Sequence, residues 1–552
     1  MPGIRRTGVF SLPSSRRNFL QRAAAFSLLS RLAPAQMQHA TGQMPLGQMP
    51  ESNFAPPTKP LLHSLELPPF VDALSLPTRA SSIAPHKHRI GMREVHVKVH
   101  RDVPATRMWV YYDLAGSNAS ESALSPLIEA RSYQPLDIEW VNHLPKQHFL
   151  PIDHSLHGCG KDVPDVRAIV HVHGARVPSK DDGHPDDWFV PGQSLSCNYP
   201  LQQDGTTLWY HDHAMGLNRL NVYAGLFGMM LVRDKTEDAL NLPSGKYEVP
   251  LILYDRNFTA DGQLYYPNSG DPAHPWVSEF AGDAILINGK IRPYFEVEPR
   301  LYRFRLVNAA NSRFFRLSLS NKQLLHQIGG DQGLLATSVE LAALTFAPGE
   351  RLDLLIDFSH AAGQAIHLRN GAFDILQFRV GTSSAQQATS TIPKEIRAID
   401  RLPESSAVTT RTITLNEYQD KVGNSMEMLL NRKRWHEPVT EQPRLNTTEI
   451  WEFVNLTEDV HPMHLHLVRF QLLDRRVFDT FSYLMYKQLK FTAAAEPPAA
   501  NETGWKDVIQ CPPGMITRII VKFEGYTGDY LYHCHILEHE ANDMMRPFKV
   551  IA

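Results

Sequence analysis

At 552 residues, with 43% hydrophobic and 20% charged residues, the chain has material for about three or four soluble domains with ample cores. Lys plus Arg is 55 against 58 Asp plus Glu, and the resulting net charge of −3 excludes a basic nucleic-acid footprint and a polybasic membrane surface. Forty prolines and 32 glycines, spread along the chain, favour many short strands joined by turns over long helices.

From the N-terminus, Ser15-Arg16-Arg17-Asn18-Phe19-Leu20-Gln21 precedes a weakly apolar run, Ala23 to Leu32, and a small-x-small site, Ala33-Pro34-Ala35. Residues 1–35 are therefore expected to be a twin-arginine signal peptide, too short to span a membrane, with a general secretory signal as the alternative. This implies the Tat export machinery as a partner and a periplasmic or secreted protein. Residues 36–60, with Met37, His39, Met44 and Met49, read as a disordered Met/Pro-rich lead-in, whose thioethers would suit Cu(I) if it collected copper. Beyond it, Glu94–Val99, Tyr302–Val307 and Thr517–Phe523 alternate in polarity, the mark of half-buried strands. Charged, turn-rich 233–245 and Ser/Thr/Gln/Ala-rich 381–393 divide the chain into domains at 61–235, 246–380 and 410–552, with 381–409 as a linker. The middle unit has strand signals but only isolated histidines such as His326, and reads as a spacer.

Four histidine clusters stand far apart: His171-Val172-His173, His211-Asp212-His213, His461-Pro462-Met463-His464-Leu465-His466 and His533-Cys534-His535, the last followed by His539 and Met544. With 26 histidines in the chain, chance places about one His-x-His pair somewhere, and His86-Lys87-His88 is read as such a pair in a solvated loop. Four pairs, one built round a cysteine, exceed that expectation. In a strand, residues i and i+2 share a face, so each pair delivers two imidazoles to one cavity while Cys534 points the opposite way. Converging imidazoles suit copper, and two His, one Cys and a weak axial Met (His461, His539, Cys534 and Met544) make a blue-copper set. Structural zinc prefers closed four-ligand sets with local spacing. Of the remaining cysteines, Cys159 and Cys197 are open to pairing in an oxidising compartment, which spacing does not establish, and Cys511 is left over.

Together with Leu208-Trp209-Tyr210-His211-Asp212-His213-Ala214-Met215, Leu220-Asn221-Val222-Tyr223-Ala224-Gly225, Asn288-Gly289-Lys290, Asn431-Arg432-Lys433-Arg434-Trp435-His436 and His533 to Glu540, these motifs resemble the three-domain multicopper oxidases, in particular the bacterial spore-coat laccase and bilirubin oxidase branch. The resemblance implies an all-β chain of three cupredoxin-like Greek-key β-sandwich domains holding four copper ions. It assigns His461, Cys534, His539 and Met544 to the type 1 copper. His171 and His464 fall to the type 2 copper, and His173, His211, His213, His466, His533 and His535 to the type 3 pair. Asp182 and Glu540 match acidic positions given acid–base roles in oxygen reduction.

The implied activity is laccase-type: one-electron oxidation of phenols or aromatic amines, coupled to four-electron reduction of dioxygen to water. A periplasmic Cu(I) metallo-oxidase and a bilirubin oxidase are the enzymatic alternatives. A copper-free structural relative in cell division is the non-enzymatic one, and the intact ligand set argues against it. A monomer with no nucleic-acid partner and no stable membrane insertion is expected. Two stretches depart from the relatives. Arg176, after Gly174-Ala175, stands where a small or polar residue is expected near a solvent channel. Leu368–Phe378 is short, and if it borders the type 1 site it leaves that pocket more open.

Overall fold

The computed structural model describes residues 54–116, 124–383, 390–421 and 423–552. The signal peptide and most of the lead-in, up to residue 53, lie outside the described residues. The protein is all-β, and its strands form three pairs of facing sheets. In the first pair, the order Thr106–Asp113, Lys87–Val97, Leu136–Asn142, Ser194–Tyr199 packs against Ile128–Arg131, Phe227–Arg233, Thr206–Asp212, Val170–His173. Lys87–Val97 runs antiparallel to Thr106–Asp113 and parallel to Leu136–Asn142, the mixed pairing of a Greek-key cupredoxin sandwich. The middle pair has eight and five strands between residues 248 and 380. The third pair has five and four strands, the smaller ordered Val508–Cys511, His461–Leu465, Gly528–Cys534, Met545–Val550.

One apolar cluster runs without interruption from the first sandwich (Ile90, Trp109, Trp140, Tyr210) into the third (Trp451, Met463, Phe523, Phe548), with Trp276 and Phe280 inserted from the middle one. Burial of these aromatics, each worth a few kcal/mol on the scale of about 25 cal/mol per Å², locks the first and third sandwiches together. Among the described residues no helix is long and apolar enough to cross a membrane.

The structure corrects several sequence expectations. The half-buried alternation expected from Glu94 holds within the strand Lys87–Val97, but His88 belongs to that strand too and not to a solvated loop: it is buried, with Nδ1 donating to the Ser81 carbonyl at 2.9 Å, and of the pair only His86 is in an exposed turn. Leu301–Asn308 is buried along its whole length despite its alternating arginines, because Arg303 and Arg305 are paired with Glu237, Glu248 and Asp353. Leu368–Phe378 falls in a hairpin whose Leu368, Ile375, Leu376 and Phe378 pack in the middle domain's own core. It therefore does not form the wall of the Cys534 site. All four cysteines are buried and free, so Cys159 and Cys197 are not bridged.

Candidate metal centres

The strand Val170–His173 is wholly buried, and its pairing with Thr206–Asp212 sets His171 opposite His211. In the third sandwich, His461–Leu465 pairs with Gly528–Cys534, which sets His464 opposite His533 and Met463 opposite Cys534. The two strand pairs bring their histidines to one interdomain cavity. The His171 ring stacks on His466 at 3.8 Å and His173 on His464 at 3.7 Å, while His535 lies 5.0 Å from His173 and 5.4 Å from His211. Ligand atoms of His171, His464 and His466, of His171, His173 and His211, and of His213, His466 and His533 lie within 4.8 Å of one another in each group.

Hydrogen bonding at the back of each ring fixes its front. Nδ1 of His171 donates to the Asp182 carbonyl and Nδ1 of His464 to the Asp507 carbonyl, each at 2.7 Å, and Nδ1 of His211 donates to the Asp212 carbonyl at 3.0 Å. Their Nε2 atoms are left buried without a partner among the described residues. His173 is reversed: Nε2 faces Asp507 Oδ1 at 3.1 Å and Nδ1 is the buried orphan. Nε2 of His533 lies 3.2 Å from that of His466 and 3.4 Å from that of His213. Burial pushes His171, His173, His464, His466 and His535 well below the ordinary imidazole range, His211 to about 4 and His213 to about 3. Neutral rings with converging lone pairs and no proton donor between them are a poor structural core and a good cage for imidazole-preferring cations; the donor set fits copper.

Cys534 faces the other way. Its Sγ lies 3.5 Å from His461 Nδ1 and 3.6 Å from His539 Nδ1, and the three groups form a buried triad. The Ile536 backbone N–H donates to Sγ at 3.4 Å, and His461 Nε2 donates to Thr457 Oγ1 at 2.6 Å, which aims Nδ1 at the sulfur. Met544 is fully buried in the same core, tied in by Cys534 N–H to its carbonyl at 3.0 Å and by its own N–H to the His539 carbonyl at 2.9 Å.

Asp182 and Glu540 both reach the histidine cavity. Asp182 is 4% exposed rather than a surface loop acid, and its Oδ2 accepts from His466 Nδ1 at 2.8 Å. Burial holds its carboxyl well above the ordinary range. Glu540 is fully buried, with Oε2 3.1 Å from His533 Nδ1 and Oε1 3.4 Å from His213 Nε2, and Asn218 donates to Oε1 at 2.5 Å. Burial pushes Glu540 up, but His533 and His213 outweigh it and hold the carboxyl below its usual range.

The middle sandwich is more than a spacer. Its Arg351 donates to Asp507 Oδ1 at 2.6 Å and pairs with Oδ2, while its Nε donates to the Thr207 carbonyl at 3.1 Å, so one guanidinium links all three sandwiches behind His173. Gln332 donates to Asp507 Oδ2 at 2.6 Å. Gly349, at φ 81°, brings backbone against the His535 ring; a Cβ there would sit 2.6 Å from Cδ2. Tyr266, Asn311 and Ser312 donate to Glu538 and the Trp276 indole to its carbonyl, clamping the helix Leu537–Ala541 that carries His539 and Glu540. None of these residues has a local spacing that would have singled it out. Arg176 bonds Glu524 at 2.7 Å and lines a cavity of about 150 Å³ with Arg469, Trp505 and Lys522.

Multicopper oxidase family profiles match residues 159–237 and 400–552. The laccase of Bacillus subtilis (strain 168) is 42% identical over 517 residues, covering 88% of this chain and 99% of its own. That of Bacillus stratosphericus is 41% identical over 518 residues, covering 88% and 100%. Among solved structures, the McoA multicopper oxidase of the hyperthermophile Aquifex aeolicus superposes with a TM-score of 0.71 at 29% identity, over 87% of this chain and 99% of that one.

Proposed function

The chain belongs to the multicopper oxidase family and binds four copper ions, and from that premise we propose a laccase-type oxidase of phenols and aromatic amines. In this reading His461, Cys534, His539 and Met544 hold the type 1 copper and His171 and His464 the type 2. His173, His211, His213, His466, His533 and His535 hold the type 3 pair. Bound copper supplies one-electron oxidation of the donor at type 1 and reduction of dioxygen to water at the other three. The single observation that carries the reading is the strand end at His533-Cys534-His535, with the cysteine in one cluster and its two neighbours in the other. One residue to either side of the thiolate, the backbone leads to imidazoles of the second site, a short bonded path for electrons.

Dioxygen reduction takes up protons, and two carboxyls stand against the imidazoles to handle them. Asp182, whose carboxyl burial raises well above its ordinary range, is placed to hold a proton beside His466. Glu540, held ionised, accepts one beside His533. Export through the twin-arginine pathway belongs to the same proposal and is supported by Arg16 and Arg17; Arg16→Lys/Arg17→Lys is expected to leave the precursor in the cytoplasm.

The deciding experiment is oxygen uptake by the copper-loaded protein, comparing kcat/KM for a methoxyphenol and for Cu(I). A clear lead for the phenol upholds the laccase reading. A lead for Cu(I) makes the chain a metallo-oxidase and gives Met37, Met44 and Met49 a part in delivery. A fully blue protein inert to both points to a narrower organic donor such as bilirubin.

A further inference from the structure

A second meeting of imidazoles lies outside the clusters above, at the seam between the first and third sandwiches. His157 and His436 are 279 residues apart in sequence, yet His157 Nε2 and His436 Nδ1 stand 2.5 Å from each other, with ring centroids 4.3 Å apart. Behind each ring is a carboxylate: Asp543 Oδ1 lies 2.9 Å from His157 Nδ1, and Asp186 Oδ2 lies 3.6 Å from His436 Nε2. Trp435 pins both acids, its backbone N–H donating to Asp543 Oδ1 at 3.1 Å and its indole to Asp186 Oδ2 at 3.0 Å. The order across the seam is therefore Asp543, His157, His436, Asp186.

A neutral imidazole has one N–H to give. His157 gives its proton to Asp543. His436, whose Nε2 stands at 3.6 Å beyond hydrogen-bond reach of Asp186 in this pose, gives its own once the ring swings outward. Both facing nitrogens then present lone pairs to the same point. This is the carboxylate–histidine–metal arrangement, built from both sides. One half is fixed and the other open: the side chain of Asp543 is 6% exposed and that of His157 27%, against 64% for His436. Two nitrogens that each bind one ion at about 2.0 Å stand wider apart than the present pair, and the outer side of His436 has solvent to swing into. Imidazole pairs with open positions suit Zn(II) and Cu(II).

We propose that His157 and His436 bind one divalent transition ion of the Zn(II) or Cu(II) class, with Asp543 and Asp186 orienting the rings and water completing the coordination. The site is separate from the four resident coppers. Asp543 immediately precedes Met544, so the fixed half of the site is one residue from the axial thioether of the type 1 set.

Zn(II) titration of the copper-loaded protein, followed by calorimetry and by metal analysis after gel filtration, tests this. One Zn(II) per chain is expected without loss of copper or blue colour. His436→Ala, at an exposed position, should abolish binding with phenol turnover intact, and Asp186→Asn should weaken it about 10–100-fold. No Zn(II) bound by the wild-type protein would mean that the two rings merely share a proton. That result, or undiminished binding by His436→Ala, overturns the proposal; unchanged affinity in Asp186→Asn overturns the orienting role of the carboxylates.

Discussion

Asp182 and Glu540 are both buried against the same histidine cluster, on different rings, and their surroundings drive them apart. Asp182 meets His466 Nδ1 at 2.8 Å and His171 Nδ1 at 3.5 Å without offsetting its burial, whereas Glu540 lies between His213 and His533, whose charges outweigh its own. Two acids pushed in opposite directions beside one cavity suit the proton uptake that the proposed oxygen reduction requires. Asp182→Asn and Glu540→Gln are therefore expected to keep the blue colour and slow oxygen reduction about 10²–10⁴-fold in single-turnover reoxidation. Loss of colour would mark either residue as structural. Thr457 acts on the other centre. Thr457→Val strips the acceptor from a buried His461 N–H and is expected to cost about 1–3 kcal/mol in denaturant unfolding, with Thr457→Ser restoring it.

At the scale of elements, the strands that carry the ligand histidines are also where the copper-free fold is most exposed to acid. His211 is pushed down to about 4, and His213, His461 and the non-ligand His148 to about 3, all by burial. A histidine with a depressed folded pKa contributes stability that is fully present above its unfolded value near 6.5 and is lost as pH falls from there toward 4 and 3. Each contributes a slope of about 1.4 kcal/mol per pH unit in that window. Buried acids raised by desolvation, among them Asp182, Asp212 (to about 7), Glu279 (to about 8) and Asp459 (to about 6), work in the opposite sense, but the depressed imidazoles outnumber them. The melting temperature is thus expected to fall steeply below pH 6.5 in the copper-free and copper-loaded proteins alike, the loaded protein from a higher starting value. Ligated rings are as free of protons as the buried unligated ones, while the unfolded chain still takes protons up. A melting temperature of the copper-free protein that does not change between pH 6.5 and 4 would contradict this.

These strands were also the legible part of the sequence. Period-2 alternation made the four histidine pairs readable, because it depends only on neighbours two residues apart. It misjudged Leu301–Asn308, since an arginine marks a solvent face only when no acid from another strand is there to meet it. His88 misled for the same reason, its partner being the Ser81 carbonyl. Asp182 and Glu540 came into view through family resemblance, not spacing. Asp507, Arg351 and the His157–His436 pair stayed hidden because their contacts span 156 and 279 residues and have no local periodicity.

Across the whole molecule, the long-range contacts decide whether three sandwiches behave as one. Arg351 is fully buried at the junction, bonded to Asp507 of the third sandwich, to the Thr207 carbonyl of the first and to the Asp331 carbonyl of its own, with Lys506 close by on Asp331 and Glu350. Removing the guanidinium takes the cation from a buried carboxyl and leaves it only the hydrogen bonds of Gln332 and the His173 ring, and breaking a buried pair from one side costs about 3–5 kcal/mol. Arg351→Met is expected to separate, in calorimetry, unfolding of the middle sandwich from the first and third, which share one core, and to loosen the copper that the proposed assignment places on His173. Adding Asp507→Asn removes the stranded carboxyl, so Arg351→Met/Asp507→Asn should regain part of the lost stability. Its copper content should stay low, because a carboxamide offers the His173 ring a weaker acceptor than a carboxylate does. Full recovery of copper in the double variant would show that the junction only glues the sandwiches together. Failure to recover stability would show that Arg351 acts through Thr207 and Asp331, not through Asp507.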